Sequence, residues 1–141
     1  MMVTGYTSGV FDLFHIGHLN LLKNSKSLCD KLIVGVTTDE LVAYKNKTPV
    51  IDHFERMEIV RSIKHVDVVV PQSDMDKMKM WRRLQFDVMF VGDDWFESDK
   101  WQLLDEQFKA VGVKIIYFPY TQGTSSTLIN KTLNNIRNEN K

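Results

Sequence analysis

The sequence predicts an α/β protein, a five-stranded parallel sheet with helices on both faces. Three observations carry this. Apolar β-branched runs alternate with helix-period stretches along the chain. Lys31–Thr37 holds Leu32, Ile33, Val34 and Val36 nearly without interruption, the pattern of a parallel strand buried on both faces. The βαβα order calls for right-handed crossovers, which place helices on both sides of the sheet.

Taken in order, Val3–Thr7 reads as the first strand and Leu19–Leu28 as the first helix. Lys31–Thr37 is the second strand, and Asp67–Val70, Val88–Val91 and Val113–Phe118 are the others. Helical patterns lie between them at Phe54–Ile63, Lys77–Leu84 and Lys100–Ala110, and a last helix runs from about Thr127 to Ile136. Asp52 followed three residues later by Glu55 is a capping-box signature for the helix beginning there. Gly112 is placed to end its helix as a C′ glycine. Tyr44–Ile51, with Lys45, Lys47 and Pro49, is the one long irregular stretch, and such loops are often functional lids. The polar tail Asn134–Lys141 is expected to fray.

The 141 residues suit a single domain with one core. Eighteen basic side chains balance eighteen acidic ones, which argues against a nucleic-acid-binding surface. The single cysteine, Cys29, excludes an intrachain disulfide and a thiolate zinc cage; a small buried residue at the end of the first helix is its expected role. No apolar run reaches the length of a membrane span, and Met1-Met2 leads straight into a strand, without a signal peptide. A cytoplasmic location is the expectation.

Four segments follow predicted strands and should meet at one edge of the sheet, where ligands of such sheets bind. Gly9-Val10-Phe11-Asp12-Leu13-Phe14-His15-Ile16-Gly17-His18 opens the first helix. Its two histidines sit three residues apart, so their rings share a face. A helix N-terminus offers unpaired N–H groups and partial positive charge, a ready site for phosphate. Gly17 lets a bulky ligand approach the backbone between the histidines. The other segments are the loop with Lys45 and Lys47, Gly92-Asp93-Asp94-Trp95, and Thr121-Gln122-Gly123-Thr124-Ser125-Ser126-Thr127 before the last helix. Imidazoles, ammonium groups, carboxylates and a hydroxyl-rich helix start suit a nucleoside triphosphate with a metal ion.

These motifs resemble the nucleotidyltransferase superfamily with its HxGH signature, and within it the cytidylyltransferase branch, which also carries a GDDW-like segment and a late RTEGISTT-like segment. Here those are Gly92–Trp95 and Tyr120–Thr127. The likeness runs from about Thr7 to Thr127, includes Thr38-Asp39-Glu40, Lys45-Asn46-Lys47 and Glu55-Arg56, and is greatest to the bacterial members acting on glycerol 3-phosphate. It implies a Rossmann-like nucleotidyltransferase fold and direct transfer of CMP from CTP to a phosphorylated alcohol. It further implies Mg²⁺ accompanying CTP, no covalent enzyme intermediate, and a homodimer.

Carried onto this chain, the resemblance gives His15 and His18 the triphosphate oxygens and the transition-state charge. Lys45 reaches over the phosphates with Lys47 beside it, and Arg56 holds phosphate near the acceptor. Gly9, Val10 and Phe11 line the nucleotide, and Asp94 lies near the nucleoside. Thr121, Ser125, Ser126 and Thr127 belong to the segment that meets the β- and γ-phosphates, with the two serine hydroxyls as donors. Asp12 orients the first loop or joins the metal shell. Two positions depart from the pattern. Tyr120 stands where the family has arginine, and Lys64 replaces an arginine of the acceptor-side helix. Tyrosine has neither the charge nor the fork of guanidinium, so these two positions bear on acceptor specificity.

Each motif also has a plainer reading. A histidine pair at helical spacing can be a surface pair, lysines in a loop can be solvated, Asp93 can be a turn residue, and Ser125–Thr127 can cap a helix and nothing more. Trp81, Trp95 and Trp101 read as packing residues. The competing functions are a cytidylyltransferase for phosphocholine, phosphoethanolamine or a polyol phosphate, an adenylyltransferase, and a nucleotide-binding module without catalysis.

Overall fold

The computed structural model describes residues 2–44, 46–92, 99–119 and 135–136. Its elements are β1 (Thr4–Gly9), α1 (Ile16–Ser27), β2 (Lys31–Thr37), α2 (Asp39–Tyr44), α3 (His53–Arg61), β3 (Val68–Gln72), α4 (Lys77–Leu84), β4 (Val88–Gly92), α5 (Asp99–Ala110) and β5 (Lys114–Phe118). All five strands are parallel in one sheet of order β3-β2-β1-β4-β5. The order reverses at β1, so the turn leaving β1 sits at the switch point where doubly wound sheets take their ligands.

Both faces of the sheet are covered, as the unbroken apolar strands require. On one face Tyr6, Ile33, Met89 and Val91 pack with Met80, Phe86, Phe108 and Val113. On the other, Leu32, Val34, Val36, Val88 and Phe90 pack with Phe11, Leu22 and Val60. Gly5 is needed where β1 passes under this second core. A Cβ there would lie 2.6 Å from the Phe90 ring and 2.9 Å from Cys29 Sγ.

Among the described residues the strands and helices expected from the sequence up to Phe118 are present, with instructive shifts. β1 runs on through Ser8 and Gly9, because its pairing with β2 continues to Gly9 against Val36. β3 runs on to Gln72 through Pro71; as an edge strand it tolerates a residue without an N–H. α2 is a correction. Asp39–Tyr44 is helical, started by Thr38, whose hydroxyl accepts from Leu41 N, so the irregular stretch begins only after Tyr44. Asp52 caps α3 by accepting from Glu55 N, and Gly112 has φ +82 just past α5. Cys29 is half-buried, with its thiol donating to Ser25 O. Trp81 packs on the first core and donates to Phe86 O. Of the expected last helix, residues 135–136 are described and helical.

Candidate active site

The site is built from the carboxyl ends of the strands. β1 delivers the chain to the N-terminus of α1, where His15 is the N-cap and His18 the third helical residue. The two form a reciprocal capping box made of imidazoles. His15 Nδ1 accepts from Gly17 N at 3.0 Å. His18 Nδ1 accepts from His15 N at 3.2 Å. Each pairing satisfies a helix-end donor that has no partner inside the helix.

That arrangement fixes the chemistry of both rings. A nitrogen that accepts cannot carry the proton, so each neutral ring is protonated on Nε2. The rings lie close and tilted to one another, centroids 3.9 Å apart and 31° between planes. Burial, then repulsion from His15, pushes His18 down to about 4, with Asp12 opposing. Burial lowers His15 as well. The pair is therefore neutral at pH 7 and offers two Nε2–H donors at the positive end of a helix. Phe11 and Phe14 back the His18 ring, with centroids 5.4 and 5.3 Å away.

Beside the histidines, a cavity of about 240 Å³ lies between α1 and the ends of β4 and β5. Gly17, Asn20, Leu21 and Asn24 line it from α1, Gly92 from β4, and Phe118 and Pro119 from the end of β5. Two of the four segments singled out in the sequence thus meet here through described residues, the first through Gly17 and the third through Gly92. Asn20 and Asn24 were not anticipated. The signal was a polar i, i+4 pair following Gly17 on the helix face that meets the sheet edge.

The lysine loop joins through its trailing end. Asp12 accepts from Val50 N at 2.8 Å and from Ile51 N at 2.9 Å, one bond to each carboxylate oxygen. These bonds tie Asp12 to the end of the lysine loop; a cation would have to share those oxygens. Among the described residues no group of three or more His, Cys, Asp or Glu is placed to hold a metal ion. Lys47 is exposed on the loop. Lys45, Asp93, Asp94, Trp95, Tyr120, Thr121, Ser125, Ser126 and Thr127 lie outside the described residues, and Trp101 is described only in its helical backbone.

Two expectations are corrected by position. Arg56 has 0% exposure, and its guanidinium donates to Ile51 O, Val10 O, Thr37 O and the Asp39 carboxylate at 2.6–2.8 Å. As placed it has no surface to offer a phosphate. Lys64 is not on a helix. It is exposed in the turn between α3 and β3, at the amino edge of the sheet. The five residues of β3 separate it from the carboxyl edge by roughly 15 Å.

The comparisons with known proteins agree with this fold. The chain matches the Cytidylyltransferase-like family over residues 6–132. It is 37% identical over 128 residues to a glycerol-3-phosphate cytidylyltransferase of Bacillus spizizenii, covering 90% of this chain and 94% of that one. It is 36% identical over 116 residues to an FAD synthase of Pyrococcus abyssi, covering 79% and 77%. Among solved structures, a lipopolysaccharide core biosynthesis protein from Thermoplasma volcanium superposes with a TM-score of 0.73 at 27% identity, covering 88% of this chain and all of that one. The protein is a nucleotidyltransferase-type α/β sandwich, and it belongs to the cytidylyltransferase-like family.

Proposed function

We propose that the protein transfers CMP from CTP to glycerol 3-phosphate, giving CDP-glycerol and pyrophosphate. The observation that carries this reading is the pair of neutral imidazoles locked by their own helix cap, with the Nε2–H donors left for phosphate oxygens. The acceptor's phosphate oxygen attacks the α-phosphorus in line. A P–O bond forms, the bond to the β-phosphate bridge oxygen breaks, and the electron pair leaves with pyrophosphate. Charge grows on the leaving group and on the α-phosphoryl oxygens. Fixed donors aimed at that charge need no rearrangement as the barrier is crossed, which is where such donors are worth most. Because both rings hold their Nδ1 in the cap, they act as donors rather than as proton shuttles.

In this reading the cavity between Gly17, Asn24, Gly92 and Pro119 receives the nucleoside, with Asp94 beside it. Gly9, Val10 and Phe11 run under the phosphates. Lys45 and Lys47 cover the triphosphate, and Thr121, Ser125, Ser126 and Thr127 meet its β- and γ-phosphates. Mg²⁺ accompanying CTP would be held chiefly by phosphate oxygens and water and would supply positive charge opposite the leaving pyrophosphate. Exposed Tyr44, Val50 and Phe54 support self-association as a homodimer. No helix among the described residues is long and apolar enough to cross a membrane, which suits an enzyme of small phosphorylated substrates in the cytoplasm.

The test is pyrophosphate release with CTP, Mg²⁺ and a panel of glycerol 3-phosphate, phosphocholine, phosphoethanolamine and polyol phosphates. An ATP arm belongs in the panel because FAD synthases stand among the relatives. Release that requires CTP and is fastest with glycerol 3-phosphate supports the proposal. A faster acceptor replaces the product named here. Nucleotide binding without any release turns the protein into a binding module.

A further inference from the structure

The turn that presents the histidines is held in an unfavourable backbone conformation. Phe11 and Leu13 have φ of +54 and +49, the left-handed region that non-glycine residues occupy only when their surroundings impose it. Neither residue escapes by exposure, since Phe11 is buried in the second core and Leu13 is half-buried.

What imposes the conformation is visible on both sides of the turn. Before it, Val10 O accepts from Arg56 Nη1 at 2.7 Å. Within it, Asp12 takes the amides of Val50 and Ile51. The same Arg56 returns to that segment, donating from Nε to Ile51 O at 2.8 Å. Ile51 is thus gripped through its N–H by Asp12 and through its C=O by Arg56. Arg56 is itself anchored by Thr37 O at the end of β2 and by Asp39 at the start of α2. Asp39 is aimed by His53 N.

We infer that Arg56 is a positioning residue: with Asp12 it clamps the Val10–Leu13 turn to Val50–Ile51 and so sets the placement of the His15 and His18 rings. The link to the rings is direct packing. Val10 leads into Phe11, whose ring meets His18 edge-on, and His18 in turn holds His15 N. The clamp also ties the end of the lysine loop to the histidine turn. This inference rests on the proposed reaction for its kinetic consequence but not for its geometry. A buried arginine could instead serve stability alone, and the test separates the two.

Arg56→Lys keeps the charge and loses the fork. Asp39→Asn keeps an acceptor and removes the countercharge, and it carries the test if Arg56→Lys does not fold. Two readouts are compared with wild type at pH 7 on folded protein. Nitrogen NMR of the rings reports which ring nitrogen carries the proton. Steady-state kinetics separates kcat from KM. The expected result is loss of the single Nε2–H pattern at His15 and His18, with kcat at least about tenfold lower and KM for CTP changed less, since small misplacement of reacting groups costs rate steeply. A folded variant with wild-type ring nitrogens and wild-type kcat overturns the inference. If wild type releases no pyrophosphate with any acceptor, the proposed reaction fails, and the ring readout alone decides the positioning role.

Discussion

Acid should weaken this protein through His18 more than through any surface carboxylate. The ring accepts a backbone N–H at Nδ1 and lies against His15. Protonation would set two donors against each other and place a cation in a largely buried site. Burial and the neighbouring imidazole accordingly lower His18 from its ordinary 6.5 to about 4. In the unfolded chain the group takes its proton near 6.5, so between these values the unfolded state binds more protons. Stability then rises with pH across the window and is lost as pH falls from about 6.5 towards 4. The full shift corresponds to about 3 kcal/mol, of which about 2 kcal/mol falls between pH 7 and pH 5. His18→Gln isolates the effect, because glutamine at this helix position can accept the same N–H in an ordinary capping box and does not titrate. Urea unfolding at pH 7, 6 and 5 measures it. Wild type should lose about 2 kcal/mol more than His18→Gln over that range. Parallel losses in the two proteins would refute the claim that the cap holds His18 neutral.

Other consequences are tested on the same protein. CTP with Mg²⁺ should raise the melting temperature more than ATP with Mg²⁺, since a ligand of the native state stabilises it by mass action; equal shifts would count against a cytidylyl assignment. His15→Ala and His18→Ala should each lower kcat by roughly a hundredfold, the scale for one lost transition-state donor, while loss of the cap costs stability by about 1 kcal/mol. Lys45→Ala should raise KM for CTP strongly and Lys47→Ala less, read from initial rates against CTP concentration. Tyr120→Arg should lower KM for glycerol 3-phosphate or CTP by adding a charge-assisted contact, and lost activity with the best acceptor would instead mark Tyr120 as selecting another phospho-alcohol. Lys64→Ala should leave kcat and KM unchanged within about twofold, as an exposed side chain outside the site does.

The sheet was legible because its strands carry their burial in their composition. Val88–Val91 and Lys31–Thr37 are apolar at consecutive positions, and only a strand covered on both faces calls for that. α2 was hidden because Asp39–Tyr44 spans six residues, too few for a helical period to stand out. Its start signal, Thr38 with a hydroxyl free to cap, preceded no long apolar stripe. The ends of β1 and β3 were missed for a related reason. Ser8, Gly9, Pro71 and Gln72 have little strand preference, and pairing with β2 holds them in the sheet.

At the site, local motifs were legible and long-range partnerships were not. The His15–His18 pair could be placed from spacing alone, because a capping box is closed within four residues. Arg56 illustrates the opposite case. Its position four residues after Asp52 looks like any exposed helical arginine, and resemblance made it a phosphate ligand. Its partners are Val10, Thr37, Asp39 and Ile51, drawn from three separate segments that no short window along the chain brings together. The correction also changes how the active site is understood. With Arg56 enclosed and Lys64 at the amino edge of the sheet, one cation expected at the phosphates and one expected to bear on the acceptor are both placed away from the site. Of the groups expected to meet the triphosphate, those left among the described residues are the neutral imidazoles and Lys47, with Lys45 outside the described residues. In the proposed reaction, affinity for CTP would lean on the loop lysines, and the transition state on the donors at the helix end. Mutations in the loop should therefore appear mainly in KM, and mutations of the histidines or of their clamp mainly in kcat, because a contact made equally in ground and transition states does not raise turnover.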